Sequence, residues 1–164
     1  MRSIVIIAHD IRSAHNIGSL FRTADGFGVE HIYFSGISPY PSLKQDNRLP
    51  YIHQKLTKQI DKTALGAIET VNWSFQPDVK ELLIKLKKEN YQIIGLEQSK
   101  SSTELNKYNP PDKCALLLGT EVTGIPEELL QLCDDIVEIK MYGQKESFNV
   151  VQATAVALYA LREA

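Results

Sequence analysis

The sequence predicts an α/β fold with a mostly parallel sheet flanked by helices. Short β-branched apolar runs recur along its 164 residues, and such runs mark strands buried on both faces. Segments with helical spacing alternate with them, which is the pattern of β–α–β units. Polar and Gly-bearing turns follow the strands, at the edge where parallel sheets bind ligands.

Arg2 to Ala8 (RSIVIIA) is the first strand, and His9 to His15 its polar exit loop. Asn16 to Gly26 spaces Ile17, Leu20, Phe21 and Ala24 as one helical face, with Asn16 as a suitable N-cap. Glu30 to Phe34 is a second strand. Ser35 to Lys62 shows no convincing period, and an irregular stretch of that length is usually functional or mobile. Thr63 to Glu69 fits one short helix, and Val71 to Phe75 a short extended piece. Pro77 to Glu89 is an amphipathic helix with Pro at its start and lysines in its last turn. Tyr91 to Leu96 is a strand, and Gln98 to Pro111 a polar connection. Lys113 to Leu118 and Asp135 to Lys140 are strands on either side of a helix over Pro126 to Leu132. Ser147 to Arg162 is the last helix, apolar nearly all round. Such a helix is buried on more than one side. It is either an ordinary core helix or one that packs on the sheet with one face and on a second subunit with the other.

At this length a single domain over 1–164 is expected, long enough to bury a normal core. With 43% hydrophobic and 23% charged residues, the composition is that of a soluble globular protein. The apolar run from Ser3 to Ala8 is too short for a signal peptide, and no run approaches the length of a membrane span. Cys114 and Cys133 sit in or beside apolar runs and read as reduced cysteines of a cytoplasmic protein.

The net charge of −2 hides an asymmetry. Residues 1–62 carry eight Lys/Arg against five Asp/Glu, and residues 63–164 carry ten against fifteen. Lys44 to Lys62 alone holds five basic and two acidic residues. That segment is either a solvated loop or a positive face for a polyanion.

Three constellations carry chemistry. In Asn16-x-Gly18-x-x-x-Arg22, Gly18 and Arg22 share a helix face. The glycine leaves a notch beside the guanidinium, or is incidental to a surface arginine. In Leu118 to Ile125 (LGTEVTGI), Gly119 ends a strand where a ligand can lie against backbone, and Glu121 acts in the turn or caps the next helix. In Ile139 to Asn149, Gly143 lies in a loop and Ser147 and Asn149 stand at a helix start, where Ser147 is also a plausible N-cap. There is no GxGxxG, no P-loop, no metal-ligand spacing and no nucleophile elbow.

In this order the three constellations resemble the motifs of the SPOUT methyltransferases, in the SpoU (TrmH-like) branch that methylates ribose 2′-hydroxyls of RNA. The resemblance covers nearly the whole chain. It implies a C-terminal deep trefoil knot that contains the cofactor pocket, within about 91–164. It also implies a homodimer through the last helix and S-adenosylmethionine as cofactor, without a metal. Asn16, Arg22, Glu121, Ser147 and Asn149 match catalytic and RNA-facing positions. Gly119, Ile139 and Phe148 match cofactor-holding ones, with Leu96 a further wall and Met141 a backbone contact. RNA is expected over His9 to His15 and the basic segment, through Arg12, Lys44, Arg48 and Lys55. Arg22 is the residue the family points to as activator of the hydroxyl, held by Asn16 and Glu121. A guanidinium is normally protonated at neutral pH, so Arg22 either gives up that proton in the complex or only orients the hydroxyl.

Two departures stand out. Lys140 replaces the proline that usually follows Ile139, and Phe148-Asn149-Val150-Val151 replaces the usual Leu-Asn-Val-Ser. Both reshape the pocket rim without removing its backbone contacts. The RNA is read as tRNA, with ribosomal RNA as an alternative. An inactive RNA-binding homologue is the alternative of another class.

Overall fold

The computed structural model describes residues 1–164. Its centre is a seven-stranded sheet in the order β3-β2-β1-β6-β4-β7-β5, with every neighbouring pair parallel. The strands are β1 (Ser3–His9), β2 (His31–Ser35), β3 (Trp73–Phe75), β4 (Gln92–Leu96), β5 (Thr103–Glu104), β6 (Lys113–Leu118) and β7 (Asp135–Glu138). The helices are α1 (Ala14–Gly26), α2 (Pro50–Ala64), α3 (Val79–Lys88), α4 (Glu127–Leu130) and α5 (Val150–Glu163). The sheet is therefore parallel throughout, and the predicted α/β class holds.

Alternation along the strands sorts the core into two layers. Ile4, Ile6 and Ala8 of β1 face the larger cluster, beneath α1, α2 and α5. Val5 and Ile7 face the smaller one, beneath α3 and α4. β1 and β6 are buried on both faces, as their unbroken apolar runs require. Their register pairs Ala8 with Leu118, so the loops after both strands leave the same edge side by side.

The largest correction is α2. Pro50 to Ala64 is a helix of 15 residues, and the chain turns at Leu65, where φ is +51°. Ser35 to Lys62 is thus only partly irregular, and no separate helix covers Thr63 to Glu69. α2 packs on α1 at Gly18, where an added Cβ would collide with the Ile60 carbonyl and the Thr63 hydroxyl. The bare position serves this helix crossing, not a notch beside Arg22.

Smaller corrections concern caps. Ser13 caps α1, its hydroxyl accepting from the Asn16 amide at 3.2 Å. Asn149 caps α5, accepting from the Val151 amide at 2.9 Å, so that helix starts after Ser147 and not at it. The polar stretch after β4 contains β5 and one 3₁₀ turn at Leu105–Lys107. α5 buries Thr154, Ala157, Leu158 and Leu161 on one side and leaves Val156 45% and Tyr159 60% exposed on the other. Arg162 fastens the chain end, donating to the carbonyls of Phe27, Gly28 and Arg2.

Both cysteines are free, and burial pushes their thiols up to about 11. No helix is long and apolar enough to cross a membrane.

Candidate active site

A cleft of about 360 Å³ opens where β4, β6 and β7 end. Leu96, Leu118, Ile139, Phe148, Val150 and Ala153 supply its apolar walls. Gly119, Glu121 and Ser147 also line it, so every expected cofactor position except Met141 meets in one place. Phe148 is 43% exposed, an aromatic face at the rim. Lys140 is exposed, with its ammonium 5.5 Å from the Tyr142 ring centre. The residue that replaces proline therefore projects away from the walls.

The turn after β6 is built on backbone. Thr120 and Gly124 exchange two hydrogen bonds of 3.1 Å, folding the chain back over Gly119. A Cβ on Gly119 would collide with the Gly124 carbonyl carbon and the Ile125 nitrogen. The absent side chain is thus required by the turn itself, while Gly119 also lines the cleft. Glu97 braces the same turn, one carboxylate oxygen accepting from the Ile125 amide at 2.8 Å and the other from Gln98 at 2.9 Å.

Glu97, Gln98, Glu138 and Glu146 line the cleft and were not singled out in the sequence. Their signal is positional: Glu97 and Gln98 directly follow β4, and Glu138 ends β7. Glu138 accepts from the Ser102 hydroxyl at 2.8 Å.

A polar chain joins all three constellations. The Asn149 side-chain amide donates to Asn16 Oδ1 at 3.3 Å, and the Asn16 amide donates to Glu121 Oε1 at 2.9 Å. Asn16 thus ties the start of α1 to the turn after β6 and to the cap of α5. Arg22 is not part of this chain. It is exposed on α1, outside the cleft lining. Six residues beyond Asn16, it points about 120° away around the helix, so Asn16 and Glu121 do not hold it as expected.

The expected RNA-facing cations divide. Arg12, Lys44 and Lys55 are exposed. Arg48 is not available. Its guanidinium donates to both Asp46 oxygens at 2.9 and 2.6 Å and to the carbonyls of Tyr40 and Pro41. It also lies 3.8 Å over the Tyr40 ring. These bonds hold the Asp46 carboxyl well below the usual carboxylate range. Arg48 is a clamp for the loop before α2, since four of its five donors are spent inside the chain.

Next to the cleft, His9 ends β1. Its ring bonds the Ser35 hydroxyl at 2.9 Å and meets Asp10 at 3.3 Å, and burial lowers its pKa. The Ser35 bond holds the ring against β2. No cluster of His, Cys, Asp and Glu is placed to hold a metal.

The chain is similar in sequence and fold to known proteins. The model of the SpoU rRNA Methylase family matches residues 3–159. The 23S rRNA (guanosine-2′-O-)-methyltransferase RlmB of Neisseria meningitidis serogroup B is 31% identical over 159 residues, 97% of this chain and 58% of that protein. The tRNA (guanosine(18)-2′-O)-methyltransferase of Aquifex aeolicus is 25% identical over 158 residues, 96% of this chain and 68% of that protein. Among solved structures, the SpoU methyltransferase AviRb of Streptomyces viridochromogenes, crystallised with AdoMet, superposes with a TM-score of 0.81 at 20% identity, over 99% of this chain and 58% of its own. The chain thus spans about three-fifths to two-thirds of these relatives. With a family match over nearly its full length and the same fold, it belongs to the SpoU methylase family.

Proposed function

We propose that the chain transfers a methyl group from S-adenosylmethionine to a ribose 2′-hydroxyl of RNA. The observation that carries this reading is one cleft lined by the second and third constellations, to which the first is tied through the Asn149–Asn16–Glu121 bonds. The cleft suits the cofactor. Its volume lies in the range of small-molecule sites. Leu96, Leu118, Ile139 and Phe148 offer flat apolar walls for an adenine, and the carboxylates of Glu121 and Glu146 favour a cation at the rim. Bound there, S-adenosylmethionine supplies an electrophilic methyl on a positively charged sulfur.

The chain's own groups then do the positioning, which is the main catalytic demand of such a transfer. Ser147 shapes the ribose side from within the cleft lining, and Asn16 and Asn149 from beside it, where Glu121 fixes the Asn16 amide. Arg22 meets the hydroxyl. Because it stands outside its own cleft with no partner in the chain, we place it at the cleft of a second copy. The exposed Val156 and Tyr159 of α5 are the apolar surface on which the two copies would meet. The deep trefoil knot belongs to the same reading, supported by the family match and the β1-β6-β4-β7 order. So does a cytoplasmic location, where RNA is at hand.

The two relatives are named for tRNA and for ribosomal RNA. We favour tRNA, the substrate in the name of the Aquifex aeolicus relative, of which the chain spans the larger share. The test is incubation with methyl-labelled S-adenosylmethionine and either unfractionated tRNA or ribosomal RNA, followed by nuclease digestion and nucleoside analysis. Label in a 2′-O-methylnucleoside from tRNA is the expected result. The same product from ribosomal RNA alone would move the substrate, and label on a base would refute the reaction.

A further inference from the structure

We propose that α2 is a phosphate-binding rail for the RNA substrate, with Tyr51 as a base-stacking platform at its outer end. This rests on the RNA reading above and adds a surface to it: Tyr51, Lys55, Lys58 and Lys62.

At 3.6 residues per turn these four side chains fall within an arc of about 60°. They lie opposite Ile60 and Ala64, the buried residues with which α2 packs on α1. All four are exposed, Tyr51 at 69%. None of the three lysines enters an ion pair, whereas Lys80, Lys87, Lys107 and Arg48 all do. Of the two acids in the segment, Asp46 is neutralised by Arg48, which leaves only Asp61 near the stripe. Positive charge on this face is therefore aligned, with three lysines against one acid of the same helix.

The rail also leads to the right place. The Thr63 hydroxyl donates to the His15 carbonyl at 2.8 Å, one residue from Asn16. The Lys62 end of α2 therefore abuts the start of α1, where the polar chain of the site begins. Tyr51 lies about 16 Å farther out along the helix axis. Lys55 to Lys62 covers about 10 Å of helix, matching about three nucleotides of a stacked strand. An aromatic ring beside such a stripe accepts any base by stacking. The stripe holds no aliphatic side chain, so it suits a nucleic acid strand and not a lipid surface.

The test measures binding of unfractionated tRNA by fluorescence anisotropy across a salt series. The triple variant Lys55→Ala/Lys58→Ala/Lys62→Ala should bind on the order of tenfold more weakly, with the log K against log salt slope reduced by about two. The corresponding triple Lys→Arg variant should keep the wild-type slope. Tyr51→Ala should weaken binding about tenfold with the slope unchanged. Lys85→Ala/Lys88→Ala on α3 should change neither. Cofactor binding by calorimetry should be equal in all of them. A triple alanine variant with wild-type affinity and slope would overturn the rail, as would an equal loss in the α3 variant or a wild type that binds no tRNA. If the slope falls as stated but no ribose is methylated, the rail stands and the reaction reading fails.

Discussion

The sheet buries 24 core residues under α1, α2 and α5, and 12 under α3 and α4. The helices on the larger side carry almost everything that points to function. Asn16 and Arg22 are on α1, Asn149 caps α5, α2 shows unpaired lysines, and α5 shows Val156 and Tyr159 to solvent. On the smaller side two lysines of α3 are tied down, and Lys85 and Lys88 stay exposed outside any ion pair. Lys80 of α3 pairs with Glu128 of α4 at 2.8 Å, and Lys87 pairs with Asp134 at 2.9 Å. One side of the sheet offers surfaces left open for partners, and the other is closed in the sense that α3 and α4 carry none of the expected site residues. The cleft sits at the strand ends between them. Substitutions on the closed side should therefore change stability alone, and substitutions on the open side or in the cleft should change function.

The largest effect is expected at the cleft. Gly119→Val drives a side chain into the Gly124–Ile125 backbone, which cannot yield as a side chain would. The turn must move, and the Glu97 brace is lost with it. Calorimetry should show cofactor affinity falling at least a hundredfold, with stability lowered by roughly 1–3 kcal/mol. Next comes the closed side. Leu83→Ala in α3, 1% exposed in the wild type, should cost roughly 2–5 kcal/mol in urea unfolding, while turnover per folded molecule stays at the wild-type value. A matching loss of turnover would erase the division between the sides.

Tyr159→Asp on α5 should follow. It should shift the chain toward monomer in sedimentation at micromolar concentration without lowering the stability of the monomer. A smaller effect is expected from acid. Burial holds His9 and His31 below the ordinary histidine value. The folded state therefore favours their neutral forms. Their contribution is complete above about pH 6.5 and is lost as pH falls toward the lowered folded values. The urea midpoint should drop between pH 7 and pH 5, and His9→Asn/His31→Asn should flatten that drop. Least of all, Lys80→Ala should leave stability and turnover within error, since exposed ion pairs contribute little.

The fold class was legible because β1, β6 and α3 are internally consistent. Their apolar periods, caps and Gly or Pro boundaries all agree. α2 was not. Ile52, Leu56, Ile60 and Ala64 do recur every fourth residue, yet most of the helix is polar because its outer face is a lysine stripe and its inner face buries only Ile60 and Ala64. The three clusters of site residues were legible from composition at strand exits; the cleft collects Leu96, Gly119, Glu121, Ile139, Ser147 and Phe148, and Asn16 and Asn149 join it only through hydrogen bonds. Two roles were not. Arg48 looked like a free cation, but the partner that consumes it, Asp46, is only two residues away and the loop geometry that joins them is not encoded in spacing. Gly18 looked like part of a site, and only the position of α2 reveals it as a helix crossing.

The division between a cofactor cleft and a substrate-side arginine is tested most directly at Arg22. Cofactor affinity by calorimetry and 2′-O-methylnucleoside yield from tRNA should be measured on the same Arg22→Ala preparation. We predict wild-type cofactor affinity with ribose methylation reduced by roughly two to four orders of magnitude. Undiminished methylation, or a parallel collapse of cofactor binding, would contradict the account.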